Sequence, residues 1–339
     1  MRAMVLSSCA GFDGQDDPLQ LVEQARPTPG QAEILIRVLA CGVCHTEIDE
    51  IEGRTPPAKF PVVPGHEIVG RVEATGPECH RYETGQRVGV GWIFSSSGDT
   101  DENISDVFRA TGRDADGGYA EYVVVPELYA YPIPDVFADA EAAPLLCAGA
   151  VGYRSLRLAN LSDGQVLGLT GFGGSGHLVL QLARHMYPAG QVFVFARSAA
   201  ERAFALELGA DWSGDTSDVP PEPPHAIIDT TPAWKPVLAA LEQLRPGGRL
   251  VINAIRKESS DRHLMAEISY EDHLWMEKEI KSVANITHED IEAFLPIAAR
   301  IPLHVEVQTY SLENANQALR DLRAGHVRGA KVLVIDEEE

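Results

Sequence analysis

The sequence predicts an α/β protein in two parts, a β-rich unit and a doubly wound parallel sheet set into it. Up to about residue 150 the apolar runs are short, rich in Val, Ile and Tyr, and bounded by Gly and Pro, the pattern of a β-rich domain. From about Asn160 strands alternate with helical periods, which argues for a parallel sheet covered by helices on both faces. A length of 339 residues exceeds what one core usually organises, and an apolar content of 45% suffices for two.

The elements follow in order. "EILIRVLAC", "IVGRVEATG", "QRVGVGWI" and "YAEYVVVP" are the first strands. The second part reads "VLGLTGF", "HLVLQLARHM", "QVFVFAR", "AAERAFALELGAD", "AIIDTT", "WKPVLAALEQL", "GRLVINAI" and "EIKSVAN", strand and helix in turn. After Asn285 come a helix "HEDIEAFLPIAARI", a strand "HVEVQTYS", a helix "LENANQALRDLRAG" and a strand "AKVLVID". A tail of that size buries little alone, so it is expected to fold back onto the first half. The expected domains are therefore 1–149 completed by 289–339, and 150–288.

Fifty acidic against 28 basic residues leave a net charge of -22, which disfavours nucleic acid and anionic membrane as partners. The acid excess, including the closing "DEEE", reads as a solvated surface, with adaptation to high salt as the alternative. No run of eighteen apolar residues would span a bilayer, and "MRAMVLSSCAGFDG" reaches Gly and Asp too early for a signal peptide. A soluble cytoplasmic protein is expected. Five scattered cysteines, an odd number, do not make a disulfide scaffold.

"GLTGFGGSGHLVLQLA" sets Gly171, Gly173 and Gly176 in a G-x-G-x-x-G pattern, with Gly174 and Ser175 between. In a chain of 30 glycines the spacing alone is weak. Its position between an apolar strand and a periodic helix turns it into a dinucleotide signal, because such a turn lets pyrophosphate rest on the helix N-terminus. About twenty residues on, "FARSAAER" offers Arg197 and Ser198 and no acid. An acid there would accept from a ribose 2′-OH, whereas a guanidinium suits a 2′-phosphate. The expectation is NADP(H) in preference to NAD(H); the alternative has Arg197 stacked on adenine or turned to water.

"ACGVCHTEID" poses a metal question. A thioredoxin-like C-x-x-C belongs at a helix start after a strand, but Cys41 closes an apolar run, where a buried side chain explains it. A structural zinc needs four closed ligands, and no second cysteine pair exists. Cys44 therefore needs distant partners. "FPVVPGHEIVG" supplies His66 and Glu67, and "EAAPLLCAGAVGY" supplies Cys147. Two thiolates and an imidazole leave a fourth position open on Zn²⁺, as a catalytic metal requires.

With "CGVCHTEID", "PGHEIVGRV", "DGGYAEYVVVP", "LLCAGAVGY", "TGFGGSG" and "LRPGGRLVINA" in order along nearly its whole length, the chain resembles the zinc-dependent alcohol dehydrogenases of the medium-chain dehydrogenase/reductase superfamily. The resemblance implies a GroES-like catalytic domain, a Rossmann cofactor domain, an active site in the cleft between them, and a homodimer or homotetramer. It implies that Cys44, His66 and Cys147 hold the catalytic zinc, with Glu67 behind the metal and able to replace its water. By the same resemblance Glu47 is the acid that orients His66, Thr46 touches the substrate oxygen, and His45 meets the cofactor pyrophosphate. Asp49 stands where relatives often carry a His at the outer end of a proton relay. The implied substrates are small alcohols and aldehydes or ketones.

The pattern is broken in places. Where many relatives bind a structural zinc, the lobe 94–112 in "IFSSSGDTDENISDVFRATG" has Ser97, Thr100 and Asn103 in place of thiols. One zinc per subunit and no structural zinc are expected, with the lobe an ordinary solvated loop rather than a calcium site. Val151 occupies a position often held by Thr beside the nicotinamide. Trp92 falls where the resemblance puts a pocket-lining aromatic, with plain core packing as the other reading. Two rival functions remain: a zinc-free quinone or enone reductase of the same superfamily, which lacks the Cys/His/Cys set, and a non-catalytic NADP(H)-binding redox sensor, which does not need Thr46.

Overall fold

The computed structural model describes residues 1–12, 17–301, 303–325 and 329–336; the closing acids 337–339 lie outside them. The chain divides into two units, Met1–Cys147 with Ile286–Arg300 and Val305–Glu339, and Ala148–Asn285 with Ile301–His304. No helix of the described residues is long and apolar enough to cross a membrane.

The first unit opens with an antiparallel pair, β1 (Arg2–Leu6) and β2 (Leu19–Glu23). Strand β3 (Glu33–Val43) is followed at once by helix α1 (His45–Ile51). Then come β4 (Ile68–Thr75), β5 (Arg87–Val90), β6 (Ile93–Ser95), β7 (Arg109–Ala110), β8 (Tyr122–Pro126), β9 (Ala130–Pro132) and the short helix α2 (Asp139–Ala142). β3 is the organising strand. Its apolar side chains Ile34, Ile36, Val38 and Cys41 are buried in one core with Ile68, Val72, Val88 and Val123, and register shifts against β4 at Leu35/Ile36 and Val38/Ala40 bend it.

The second unit runs α3 (Ala148–Ala159), β10 (Val166–Thr170), α4 (Gly176–Met186), β11 (Gln191–Phe195), α5 (Ala199–Glu207), β12 (Trp212–Gly214), β13 (Ala226–Asp229), α6 (Lys235–Gln243), β14 (Arg249–Ile252) and β15 (Glu279–Ser282). All pairings in its six-stranded sheet are parallel, in the order β12-β11-β10-β13-β14-β15. The order reverses between β10 and β13, and at such a switch point the turns after the strands splay apart and leave a crevice for a ligand. β10 is buried along its whole length, which is why it reads as an unbroken apolar run.

The tail is α7 (His288–Arg300), β16 (Val307–Ser311), α8 (Ala315–Arg323) and β17 (Ala330–Val334), and it belongs with the first unit. β17 pairs antiparallel with Ala40–Val43 of β3, while β8 pairs with Glu33–Arg37. A mid-chain strand and a strand of the tail thus share successive segments of β3. Leu319 and Leu322 of α8 join the core of Ile34 and Ile36.

The lobe 94–112 departs from the expected plain loop. Ser97 and Thr100 are exposed, but Glu102 is fully buried. Its carboxylate accepts from Tyr129 Oη at 2.9 Å, from the His288 backbone N–H at 2.6 Å, and lies 2.7 Å from His288 Nδ1. Ser96 closes the knot, its N–H donating to Tyr129 Oη at 3.1 Å and its Oγ to the Glu102 carbonyl at 2.7 Å. The lobe is therefore tied by an acid to the first turn of α7, where a negative charge meets unpaired N–H groups. In an acid-rich run, one glutamate that turns inward looks like its solvated neighbours, so the sequence reading missed it.

Candidate active site

The site begins where β3 runs out. Cys44 has extended backbone, φ -113° and ψ 163°, and stands just before α1. Glu47, in the first turn, reaches back so that Oε2 accepts from the Cys44 N–H at 2.8 Å, satisfying one of the donors a helix start leaves open. The other oxygen, Oε1, lies 2.6 Å from His66 Nδ1. Both groups are buried. An ionised carboxylate at that distance keeps a proton on Nδ1, so Nε2 is the nitrogen that can turn a lone pair to a metal, and Nε2 is buried without a hydrogen-bond partner among the described residues.

Glycines let these parts approach. Gly65 has φ +98°, and a Cβ there would lie 2.4 Å from the Tyr119 ring and 2.9 Å from Cys41 Sγ. At Gly42 a Cβ would meet Glu67 Oε2 at 1.7 Å. That strand position is empty so that the Glu67 carboxylate can occupy it. Cys147 follows the short turn Ala143–Leu146, and ligand atoms of Cys44, His66, Glu67 and Cys147 lie within 4.8 Å of one another. Among the described residues this is the grouping able to hold a metal.

The electrostatics suit a cation. A hydrogen bond from Cys147 holds the Cys44 thiol well below its usual range despite burial, with further help from His66. Cys147 is pushed well up by that same bond and by burial. The pair thus keeps one proton that a divalent ion would displace. Burial alone would lower His66, but the charges of Glu47 and Cys44 outweigh it and raise it well above its usual value. Burial, then the Cys44 charge, push Glu67 well up. Two sulfurs, an imidazole whose Nε2 can exchange its proton for a metal and a carboxylate behind them fit a tetrahedral ion such as zinc.

Around the cluster, Thr46 is buried with Oγ1 3.5 Å from Cys44 Sγ. His45 is exposed at the first position of α1. Asp49 is buried, and its Oδ1 accepts from Arg54 Nε at 2.9 Å and Nη2 at 2.6 Å. Trp92 is half-buried, its ring centroid 6.2 Å from that of His66 and 5.5 Å from that of Phe108, with the Arg113 guanidinium 5.3 Å above it. It therefore forms an aromatic wall beside a cluster residue. The sequence reading missed Glu50, which is buried with Oε1 unpartnered; burial first, and then the charge of Glu47, raise it well above the usual carboxylate range. The spacing of Glu47 and Glu50 by three, one helical face, was the available signal.

In the second unit Gly171 has φ +80°, and a Cβ there would press on Thr230 and Thr231 at 2.9 Å. Gly176 is closed in by the Gly171 carbonyl at 2.7 Å, whereas Gly173 faces open space. With Gly174 and Ser175 they form the turn into α4. Two crowded glycines and one open one leave half-buried backbone at a helix start, the cradle a pyrophosphate needs. Past β11, Arg197 is exposed, while Ser198 Oγ accepts from the N–H groups of Ala200 and Glu201 at 3.2 and 3.5 Å. Ser198 thus caps α5. The switch point also holds a pair the sequence reading overlooked, a buried Asp229 salt-bridged to Lys257. Asp229 accepts from Thr170 Oγ1 at 2.5 Å and Thr231 Oγ1 at 2.8 Å.

A metal-ready β-rich unit and a doubly wound nucleotide-binding sheet in one chain define a cofactor-dependent oxidoreductase. Residues 30–135 match the alcohol dehydrogenase GroES-like domain and residues 174–300 the zinc-binding dehydrogenase domain. The chain is 40% identical to a probable alcohol dehydrogenase AdhA of Mycobacterium tuberculosis, covering 94% of this chain and 93% of that protein. It is 31% identical to an alcohol dehydrogenase of Geobacillus stearothermophilus over 94% and 97%. A cinnamyl alcohol dehydrogenase structure from Sorghum bicolor superposes with a TM-score of 0.81 at 26% identity, covering 99% of each chain. The chain belongs to the zinc-type alcohol dehydrogenases of the medium-chain dehydrogenase/reductase superfamily.

Proposed function

We propose that this protein interconverts small alcohols and their aldehydes or ketones with NADP(H), as a soluble cytoplasmic homo-oligomer with one zinc per subunit held by Cys44, His66 and Cys147. The observation that carries the reading is the meeting of those donors with Glu67 inside 4.8 Å. When bound, zinc polarises the substrate oxygen and the dinucleotide gives or takes the hydride.

The chain's own residues do the rest. Glu47 fixes the His66 tautomer and, through the Cys44 N–H, the start of α1. Glu67 waits behind the metal position as an exchangeable oxygen donor. Thr46 Oγ1 passes the proton of the alcohol, since a hydroxyl with no acidic pKa of its own relays and does not store it. Asp49, held by Arg54, is the acid assigned to the outer end of that relay, and His45 is assigned to the pyrophosphate. Trp92 narrows the substrate space beside His66. One solved structure of this fold is a complex with NADP(H) and another is of an NAD-dependent alcohol dehydrogenase. The preference therefore rests on the acid-free segment at Arg197, with NAD(H) as the weaker cofactor. The Cys/His/Cys set weighs against a zinc-free enone reductase, and Thr46 beside Cys44 against a pure sensor.

The test is one purified sample assayed for metal and for NADPH oxidation with short, branched and aromatic aldehydes. One zinc per chain and turnover are expected. Cys44→Ser should lose zinc and turnover while NADPH binding, measured by fluorescence, persists. Turnover that survives complete removal of zinc, or two zincs per chain, would defeat the reading.

A further inference from the structure

The carboxyl end of β11 carries a second cation. Arg202 sits on α5, five residues past Arg197, and in sequence it is an ordinary charge on a helix. In the structure its guanidinium folds back over the strand end: Nη1 donates to the carbonyls of Ala196 and Arg197 at 2.7 and 2.8 Å. These are the two residues that follow β11. The side chain is 28% exposed, so the group is anchored yet reachable.

Among the described residues its hydrogen bonds engage Nη1 alone, which leaves Nε and Nη2, a parallel pair of donors, for an oxyanion. The acid recorded against Arg202 is Asp215, at 3.5 Å and with a side chain 55% exposed, a long and wet contact of little strength. Asp215 is itself turned toward Asp218, whose carboxylate accepts its N–H at 2.7 Å. Ser198, the other polar side chain of the segment, is occupied as the cap of α5.

We infer that Arg202 is a specificity residue for the cofactor, the fixed half of a two-arginine clamp on the 2′-phosphate, with exposed Arg197 as the half that closes. This rests on the NADP(H) reading above. Its logic is preorganisation. Two backbone carbonyls hold the guanidinium in place before the ligand arrives, so less side-chain freedom is lost on binding than at a free arginine. A dianion on Nε and Nη2 gains two charge-assisted bonds, while Asp215, 3.5 Å away on Nη1, opposes its charge.

The test measures equilibrium binding to the full zinc-loaded chain, by calorimetry, of adenosine 2′,5′-bisphosphate against 5′-AMP. These probes share the adenosine and differ in the 2′-phosphate. Arg202→Ala should weaken the bisphosphate by roughly ten- to a hundredfold, with 5′-AMP affinity and zinc content unchanged. Asp215→Asn should tighten the bisphosphate alone. Equal loss of both probes in Arg202→Ala, or no loss of either, would overturn the clamp. If Arg197→Ala lowers bisphosphate affinity while Arg202→Ala does not, the clamp fails and the NADP(H) preference stands. If the wild type binds both probes equally well, the preference itself fails and the clamp with it.

Discussion

Glu47 shows how much one side chain can coordinate. Its two oxygens join a helix start to a ring nitrogen, so the direction of α1 and the tautomer of His66 are set by a single carboxylate. Glu47→Gln should leave the fold intact, because an amide still accepts from the Cys44 N–H, but it removes the charge that keeps the proton on Nδ1. Zinc affinity, read by competition with a chelator, is expected to fall about ten- to a hundredfold; an unchanged affinity would contradict the role given to Glu47. The thiols and imidazole of the candidate metal cluster stood out in sequence, since such groups announce their chemistry wherever they stand. Gly42 did not, because its requirement is a clash with Glu67, the residue just before β4. Nor did the commitment of Ser198 to a helix cap, where the same hydroxyl serves either role on paper.

Among the elements, the lobe 94–112 is the instructive one. Its strands β6 and β7 are very short, and the acid–phenol–imidazole knot around Glu102 does the holding. Removing the carboxylate strands Tyr129 Oη and the first N–H of α7 in a buried place, so Glu102→Ala should cost about 2–4 kcal/mol of stability and speed proteolysis within the lobe. Tyr129 adds a pH dependence. Burial, and then the bond to Glu102, push its pKa up to about 12 from the ordinary 10, so the folded state keeps a proton that the unfolded chain gives up. The stabilisation is complete below pH 10 and lost as pH rises through about 12. Tyr129→Phe should therefore show a shallower alkaline decline in melting temperature than the wild type. Element identity was readable from periodicity, including the return of the tail strand. This knot was not, because its partners Glu102, Tyr129 and His288 are distant in the chain.

For the molecule as a whole, the outer edge of the parallel sheet bears on assembly. All four residues of β15 are exposed, Ile280 among them, and the preceding segment exposes Tyr270, Trp275 and Met276. An unprotected edge of this kind invites a partner strand. A second copy fits by its own chemistry: antiparallel pairing about a twofold axis through Ile280 sets Glu279 opposite Lys281 on both sides. Ile280→Lys is expected to shift light-scattering mass from dimer to monomer with zinc content unchanged; a wild-type monomer would end the proposal. The two-part division was visible in sequence as a change of grammar near Asn160, whereas the sharing of β3 by β8 and β17 was not, since nothing local records which strands will be neighbours. That sharing has a consequence for biosynthesis. The parallel sheet is assembled from a nearly continuous stretch and can condense as it leaves the ribosome, but Ala40–Val43 must keep a hydrogen-bonding rim unclaimed until Lys331–Val334 arrive. During that wait Cys41, fully enclosed in the finished core, lies on a half-built scaffold.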